Sequence, residues 1–142
     1  MRQIDQSFVP VRVHAKDNRD EFKRLGERFG AQWTPTILVI DDTGQERHRI
    51  EGFLPVEDFL PQLVLGAAHA AFGRGDFKTA AARFDEILKS YPNNDAAPEA
   101  QYWAGVSRYK DTNDPSALKD TAQRFTERFQ NSSWAKKSSV WR

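Results

Sequence analysis

The stretch WTPTILVIDDTG, residues 33–44, places a proline directly before a run of apolar and β-branched side chains. Proline cannot donate a hydrogen bond to a sheet ladder, so it is expected only at the first residue of a strand, at an edge or at a bulge. Residues 36–41 have the near-continuous apolar pattern that is typical of a strand buried on both faces. We therefore predict a strand that begins just after Pro35 and ends at a turn over residues 41–44.

The segments on either side of this strand predict the rest of a small α/β unit. Residues 45–52 follow the turn as the more polar second arm of a β-hairpin. Alternating apolar positions in residues 8–15 predict an earlier strand. Between the two, residues 18–29 predict a helix with one apolar face, capped by Asn18 and ended by Gly30. The predicted order is one strand, a helix and then a β-hairpin.

From about residue 53 the pattern is that of helices alone. Pro55 suits the start of a helix, whereas Pro61 inside one removes a hydrogen bond and predicts a break or kink. The predicted helical segments are 63–73, 77–91, 98–110 and 115–129, with a further start at 132–134.

A repeat of 38 residues runs through this helical part. The matched pairs are Ala67 with Gly105, Asp76 with Asp114, Tyr91 with Phe129, and Asn93 with Asn131. Small side chains allow two helix backbones to approach closely. The repeat therefore predicts antiparallel helix pairs with Ala67, Ala80 and Gly105 at close crossings.

Composition excludes several classes of function. The charge is nearly balanced, with 21 Lys and Arg against 20 Asp and Glu, so we expect no broad capture of nucleic acid or of an anionic membrane. We find neither an apolar run of about 18 residues nor a basic and then apolar leader, which favours a soluble, cytoplasmic protein. Cysteine is absent, so these residues support no disulfide, thiolate metal site or thiol catalysis. We predict no cofactor.

Other candidate residues have simpler interpretations. His14, His48 and His69 lie on three different predicted elements without an i, i+4 pairing, so we expect solvated or hydrogen-bonded histidines and no metal site. Asp41 and Asp42 resemble an acid–base pair, but turn chemistry explains both. We predict no catalytic residue.

Three aromatic side chains leave two interpretations open. Trp33, beside the proline, either lines a peptide groove or covers the core. Trp103 and Tyr109 either pack between repeat helices or line a binding face on the helical part.

The segment GDFKTAAARFDEILKSYPNN, residues 75–94, resembles the second helix of a tetratricopeptide repeat. Ala80, Phe84 and Pro92 stand at the small, aromatic and proline positions of that family. The resemblance covers residues 63–142, although the second unit is longer than the usual length of about 34 residues. It implies helical hairpins that bind other proteins.

Residues 8–65 resemble the later part of the thioredoxin fold, in which a proline preceded by a cis peptide bond opens a strand of a hairpin. Only an X-Pro bond adopts the cis form cheaply, at about 0.5–1 kcal/mol. The resemblance implies a cis bond between Thr34 and Pro35. It also implies that Trp33, Thr34 and Pro35 contact an extended polypeptide.

The redox motif and central strand of that family have no counterpart here, and residues 2–7 look like the tail of the helix that carries the motif. We expect that the chain is a fragment of a longer protein, that the sheet closes around the gap, or that a second chain fills the gap. The fragment is the favoured interpretation.

The sequence therefore predicts a thioredoxin-like domain at residues 1–62 and tetratricopeptide-like repeats at residues 63–142. Its predicted function is a non-catalytic protein-interaction module. One alternative is the C-terminal fragment of a thiol-disulfide oxidoreductase with catalytic cysteines upstream of Met1, and another is a purely structural adaptor. The expected partners are proteins or peptides, with self-association through the exposed sheet edge as a further alternative.

Overall fold

A computed structural model of the chain describes residues 6–142. The described residues up to 37, together with 50–53, form one compact unit, and residues 38–49 with 54–142 form a second. The elements are α1 (Arg19–Phe29), β1 (Thr36–Ile40), β2 (Glu46–Glu51), α2 (Val56–Gly73), α3 (Phe77–Ser90), α4 (Ala97–Thr112), α5 (Ser116–Glu127), α6 (Ser133–Ser138) and a 3₁₀ turn (Ser139–Trp141). The predicted helix, β-hairpin and following series of helices are all present, in the predicted order. The predicted helix tail over residues 2–7 falls largely outside the described residues.

The predicted β-hairpin is present, and its turn is built by one aspartate. The Asp41 N–H donates to the Gln45 carbonyl at 2.9 Å, which closes the turn. Its Oδ1 accepts the N–H of Thr43 at 2.9 Å and that of Gln45 at 3.0 Å. Gly44 has φ +81°, which a side chain would disfavour. The interpretation of Asp41 as a turn residue is confirmed.

The predicted strand over residues 8–15 is wrong, since residues 8–14 form no regular element. Val9 and Val11 are 89% and 81% exposed. A strand forms only when a neighbouring backbone takes up its N–H and C=O groups. The sheet within residues 6–142 consists of β1 and β2 alone, so this alternating segment has no strand beside it.

Burial of β1 on both faces is also a wrong prediction. Of its five residues only Val39 is buried, and Ile40 is exposed. The Val39 side chain packs directly against α2 at Gly66. A Cβ added at Gly66 would lie only 3.0 Å from the Val39 Cβ. A sheet of two strands therefore buries one position of β1 against α2 and leaves the rest partly open.

The ends of α1 agree with the sequence in part. Gly30 has φ +62°, and its N–H donates to the Gly26 carbonyl, as expected for a glycine that ends a helix. Asn18 occupies the capping position, but its side chain makes no bond to the helix. Instead, Asn18 Oδ1 accepts the His14 N–H at 3.1 Å, which orders the loop before the helix.

Helix α2 continues through Pro61, so a break there is ruled out, and of the predicted break or kink only the kink stays a prediction. Proline removes the hydrogen bond to the carbonyl four residues earlier. That carbonyl belongs to the exposed Glu57 in the first turn, where water can bind it. Pro61 itself is buried and adds apolar contact to the second unit.

The 38-residue repeat recurs in the turns between helices. Asp76 accepts the Thr79 N–H at 3.2 Å before α3, and Asp114 accepts the Ser116 N–H at 2.9 Å before α5. Gly105 allows α4 to approach α5, since an added Cβ would lie 2.7 Å from the Thr121 Cβ. A buried cluster fills the space between α2, α3 and α4: Val64, Leu65, Ala68, Ala71, Ala80, Phe84, Ile87, Ala96, Ala100 and Ala104.

Enlarging Ala80 tests this packing. Ala80 is fully buried in the cluster, so Ala80→Leu should overpack it and lower the free energy of unfolding by about 1–3 kcal/mol. Ala82 lies on the same helix and is exposed, so Ala82→Leu is the matched control and should change stability little. Chemical unfolding followed by circular dichroism measures both. Equal losses in the two variants would contradict the assignment of Ala80 to the core.

Candidate peptide-binding site

The step from Trp33 to Pro35 lies between α1 and β1 in the first unit, and all three residues are exposed. The peptide bond between Thr34 and Pro35 is cis, as predicted. Trp33 is 69% exposed, so it does not cover the core. The step therefore offers an indole ring to solvent at the open end of the hairpin.

Hydrogen bonds hold the step on both sides of Thr34. The Thr36 hydroxyl donates to the Trp33 carbonyl at 2.6 Å. The Gly52 N–H donates to the Pro35 carbonyl at 2.8 Å, which joins the start of β1 to the end of β2. In the part of the chain that the structure describes, no hydrogen bond engages the backbone of Thr34. Its N–H and C=O can therefore pair with an incoming extended backbone.

Phe53 is a residue of this region that sequence reasoning missed. It follows Gly52, which has φ +87° and is bonded to Pro35, and its side chain is 83% exposed. The hairpin register pairs Pro35 with Gly52. Knowledge of that register would have placed Phe53 beside the Trp33–Pro35 step. Two large apolar side chains, Trp33 and Phe53, thus lie in the same unit near one end of the hairpin.

Trp103 and Tyr109, the predicted residues of a helical binding face, both lie on α4 and are half-buried. Trp103 packs edge-on against His69 and Phe72, with ring centroids 5.3 Å and 5.1 Å away. The Tyr109 carbonyl accepts the N–H of Asn113 at 2.7 Å. A binding role for this pair stays a prediction.

Among the ionisable groups of the hairpin, the Asp41 carboxyl has the most strongly shifted pKa. The Thr43 hydroxyl and the Gln45 N–H, together with Arg47 Nε at 2.6 Å, hold the pKa of this carboxyl well below its usual range. Asp41 is therefore ionised throughout the physiological range. Its bonds fix the turn, so it does not act as a proton donor.

His48 and His69 are 21 positions apart in sequence, but their rings stack with centroids 6.2 Å apart and planes at 20°. His48 Nε2 lies 2.7 Å from Gln62 Oε1, and His69 Nε2 lies 2.9 Å from Glu99 Oε1. Burial lowers the pKa of His48, against the opposing effect of the Gln62 hydrogen bond. Sequence reasoning treated these histidines as unrelated, because only the fold brings β2 and α2 together.

Comparison with protein families gives two matches, which together cover residues 1–94. Residues 1–66 match the family model of a thioredoxin-like domain, and residues 64–94 match that of a tetratricopeptide repeat. The predicted order of the two families is confirmed. Comparisons with curated proteins and with solved structures found no match.

Two further features of residues 6–142 bear on function. None of the helices there has the length and apolar character needed to cross a membrane. Among the same residues no three His, Cys, Asp or Glu side chains are grouped in a way that could hold a metal ion.

Proposed function

We propose that the chain is a non-catalytic protein-interaction module that binds an extended peptide at Trp33, Thr34 and Pro35. Its thioredoxin-like and tetratricopeptide parts support a protein-interaction or adaptor role. One observation supports peptide binding at this step. Trp33 is exposed, and the backbone of the neighbouring Thr34 has no hydrogen-bond partner within the described residues. The chain has no cysteine, so these residues offer no thiol nucleophile for an exchange reaction.

The physical basis of this binding has two parts. An extended peptide that pairs with a free backbone gains main-chain hydrogen bonds, and pockets or apolar surfaces beside it select its side chains. Tryptophan is enriched among the residues that dominate interface energies, because it buries a large rigid surface. The preferred peptide is therefore extended and carries a large apolar side chain that covers Trp33.

Removal of the indole tests the site. We expect that decapeptides selected from a randomised display library on the immobilised chain lose at least about tenfold in affinity for Trp33→Ala, the equivalent of about 1.4 kcal/mol. Isothermal titration calorimetry with synthetic peptides measures the loss. Val140 is an apolar residue of the second unit that is 80% exposed, so Val140→Ala is the control and should leave the affinity unchanged.

Two outcomes would contradict the proposal. Equal peptide affinity for wild type and Trp33→Ala would show that the peptide binds elsewhere. A loss of affinity in Trp103→Ala or Tyr109→Ala would favour a binding face on the helical part. A second copy of the chain is the alternative occupant of the sheet edge. Light scattering over a concentration series would then show a molar mass above that of one chain. The Trp33→Ala variant would show a lower mass at the same concentration.

A further inference from the structure

Side chains from four elements of the second unit meet at His48 and His69. His48 comes from β2, His69 and Gln62 from α2, and Glu99 from α4. Phe84 of α3 presents its ring edge-on to His69 at a centroid distance of 5.2 Å. This cluster joins β2 to the helices, and the proposed peptide site does not use it.

We propose that the stacked His48–His69 pair is a proton-sensitive contact that holds β2 against the helices at neutral pH and releases it under mildly acidic conditions. The proposal is independent of the proposed peptide binding. It rests on the stacked geometry, on the two hydrogen bonds and on the location of the pair between elements.

In the neutral state each ring makes one hydrogen bond, through Nε2. Gln62 Oε1 and Glu99 Oε1 are acceptors, so each histidine donates from Nε2. An added proton enters at Nδ1 and creates a cation. The group bonded to His48 is the neutral Gln62 amide, so a cation at His48 has no carboxylate bonded to it.

The charged groups that act on His48 have opposite effects. Glu99 of α4 and Glu46 of β2 itself favour a cation there, and a charged His69 of α2 opposes it. Glu46 is already bonded to Arg49, with its two carboxylate oxygens each 2.8 Å from guanidinium nitrogens. Burial is the largest effect, and it disfavours the charged ring.

The sign of the pH effect follows from proton linkage. A free imidazole binds a proton near pH 6.5. The pKa of His48 in the packed state is lower, so the released state binds more protons as the pH falls. The packed state is therefore favoured fully above about pH 6.5 and loses stability as the pH falls from there to the pKa of packed His48. Carboxyl groups such as Asp41, whose pKa is lowered, lose their stabilising effect only below the usual carboxyl range, about 4.

Release of β2 costs the helices little of their own core. The cluster between α2, α3 and α4 contains no residue of β2. His69 keeps its bond to Glu99 on the helical side after release. Local opening therefore hydrates a charged His48 without unfolding of the helix pairs.

Hydrogen exchange measured by NMR on the full chain tests the proposal. After correction for the intrinsic pH dependence of exchange, the amides of β2 should exchange faster at about pH 5 than at about pH 7.5, while amides of α3 keep their protection. In His48→Gln, which cannot be charged, the β2 rates should be independent of pH. The exposed His14 lies in the first unit, so His14→Gln is the matched control and should behave as wild type.

A direct titration keeps the proposal testable if His48→Gln does not fold. The chain has three histidines, so each ring resonance can be followed in wild type. His48 should titrate below 6.5, and His69→Gln, which removes the like charge, should weaken the acid effect on β2. A His48 pKa at or above 6.5, or acid-accelerated exchange that persists in His48→Gln, would overturn the proposal.

Discussion

Replacement of Phe84 by alanine should lower the free energy of unfolding of the helical part by about 3–5 kcal/mol. Phe84 is fully buried in the cluster between α2, α3 and α4 and also makes a T-shaped contact with His69. Truncation removes most of a ring and leaves a cavity that fixed helices cannot collapse. Since small proteins have total stabilities of about 5–15 kcal/mol, this loss is large enough to populate the unfolded state.

Urea unfolding followed by circular dichroism at 222 nm measures the effect. Phe53→Ala is the matched control, because Phe53 is 83% exposed and its removal leaves no cavity. We expect its midpoint to match wild type. A midpoint for Phe84→Ala within error of wild type would mean that Phe84 does not anchor the helices.

The second large effect is expected from Gly105→Leu. A Cβ at this position would lie 2.7 Å from the Thr121 Cβ and 2.8 Å from its Cγ2, both close to the backbone of α5. Leucine has no path around these atoms, so α4 and α5 must separate. We expect a loss of about 3 kcal/mol or more, at the upper end for overpacked cores. The better helix propensity of leucine, about 1 kcal/mol over glycine, offsets only part of this.

Gly73→Leu provides the comparison for Gly105→Leu. Its added Cβ would lie 2.6 Å from Arg47 Nη2 and 2.7 Å from Nε, which are at the far end of a flexible side chain. Arg47 can rotate at the expense of its contact with Asp41. We therefore expect a clearly smaller shift in the urea midpoint. Equal shifts would show that α4 and α5 are not in close contact at Gly105.

Features that depend on local chemistry could be predicted from the sequence. Asp41 and Gly44 define the hairpin turn by their own bonds and backbone angles, and Gly30 ends α1 by its left-handed conformation. Asp76 and Asp114 likewise accept N–H groups from residues only three and two positions further along the chain. In each case the residues that decide the structure are adjacent in the chain.

Features that depend on distant partners could not be predicted in the same way. The alternation in residues 8–15 is real, but a strand needs a neighbour, and periodicity does not reveal whether one exists. The apolar run of β1 likewise did not predict that only Val39 is buried. Pro61 was expected to break or kink its helix, but the helix is not broken, because the affected carbonyl lies in an exposed first turn.

The candidate site shows the same division. One sequence motif predicts all three site residues, because Trp33, Thr34 and Pro35 are contiguous. Only the structure shows that Trp33 is exposed and is not a core residue. Phe53 depends on the hairpin register for its place beside them. The stacking of His48 on His69 depends on how β2 packs against α2, which no spacing in the sequence encodes.

The aspartates that precede α3 and α5 lie 38 residues apart. This spacing has a consequence for how such a chain can change in length. Asp76 and Asp114 stand at matching positions of the two units, and each accepts a backbone N–H at the start of the helix that follows, from Thr79 and from Ser116 respectively. Unequal recombination between them adds or deletes one helix pair, and each remaining pair keeps the kind of neighbour it had, because repeat units contact only the adjacent ones. The number of helix pairs could therefore change without a new kind of interface between the pairs.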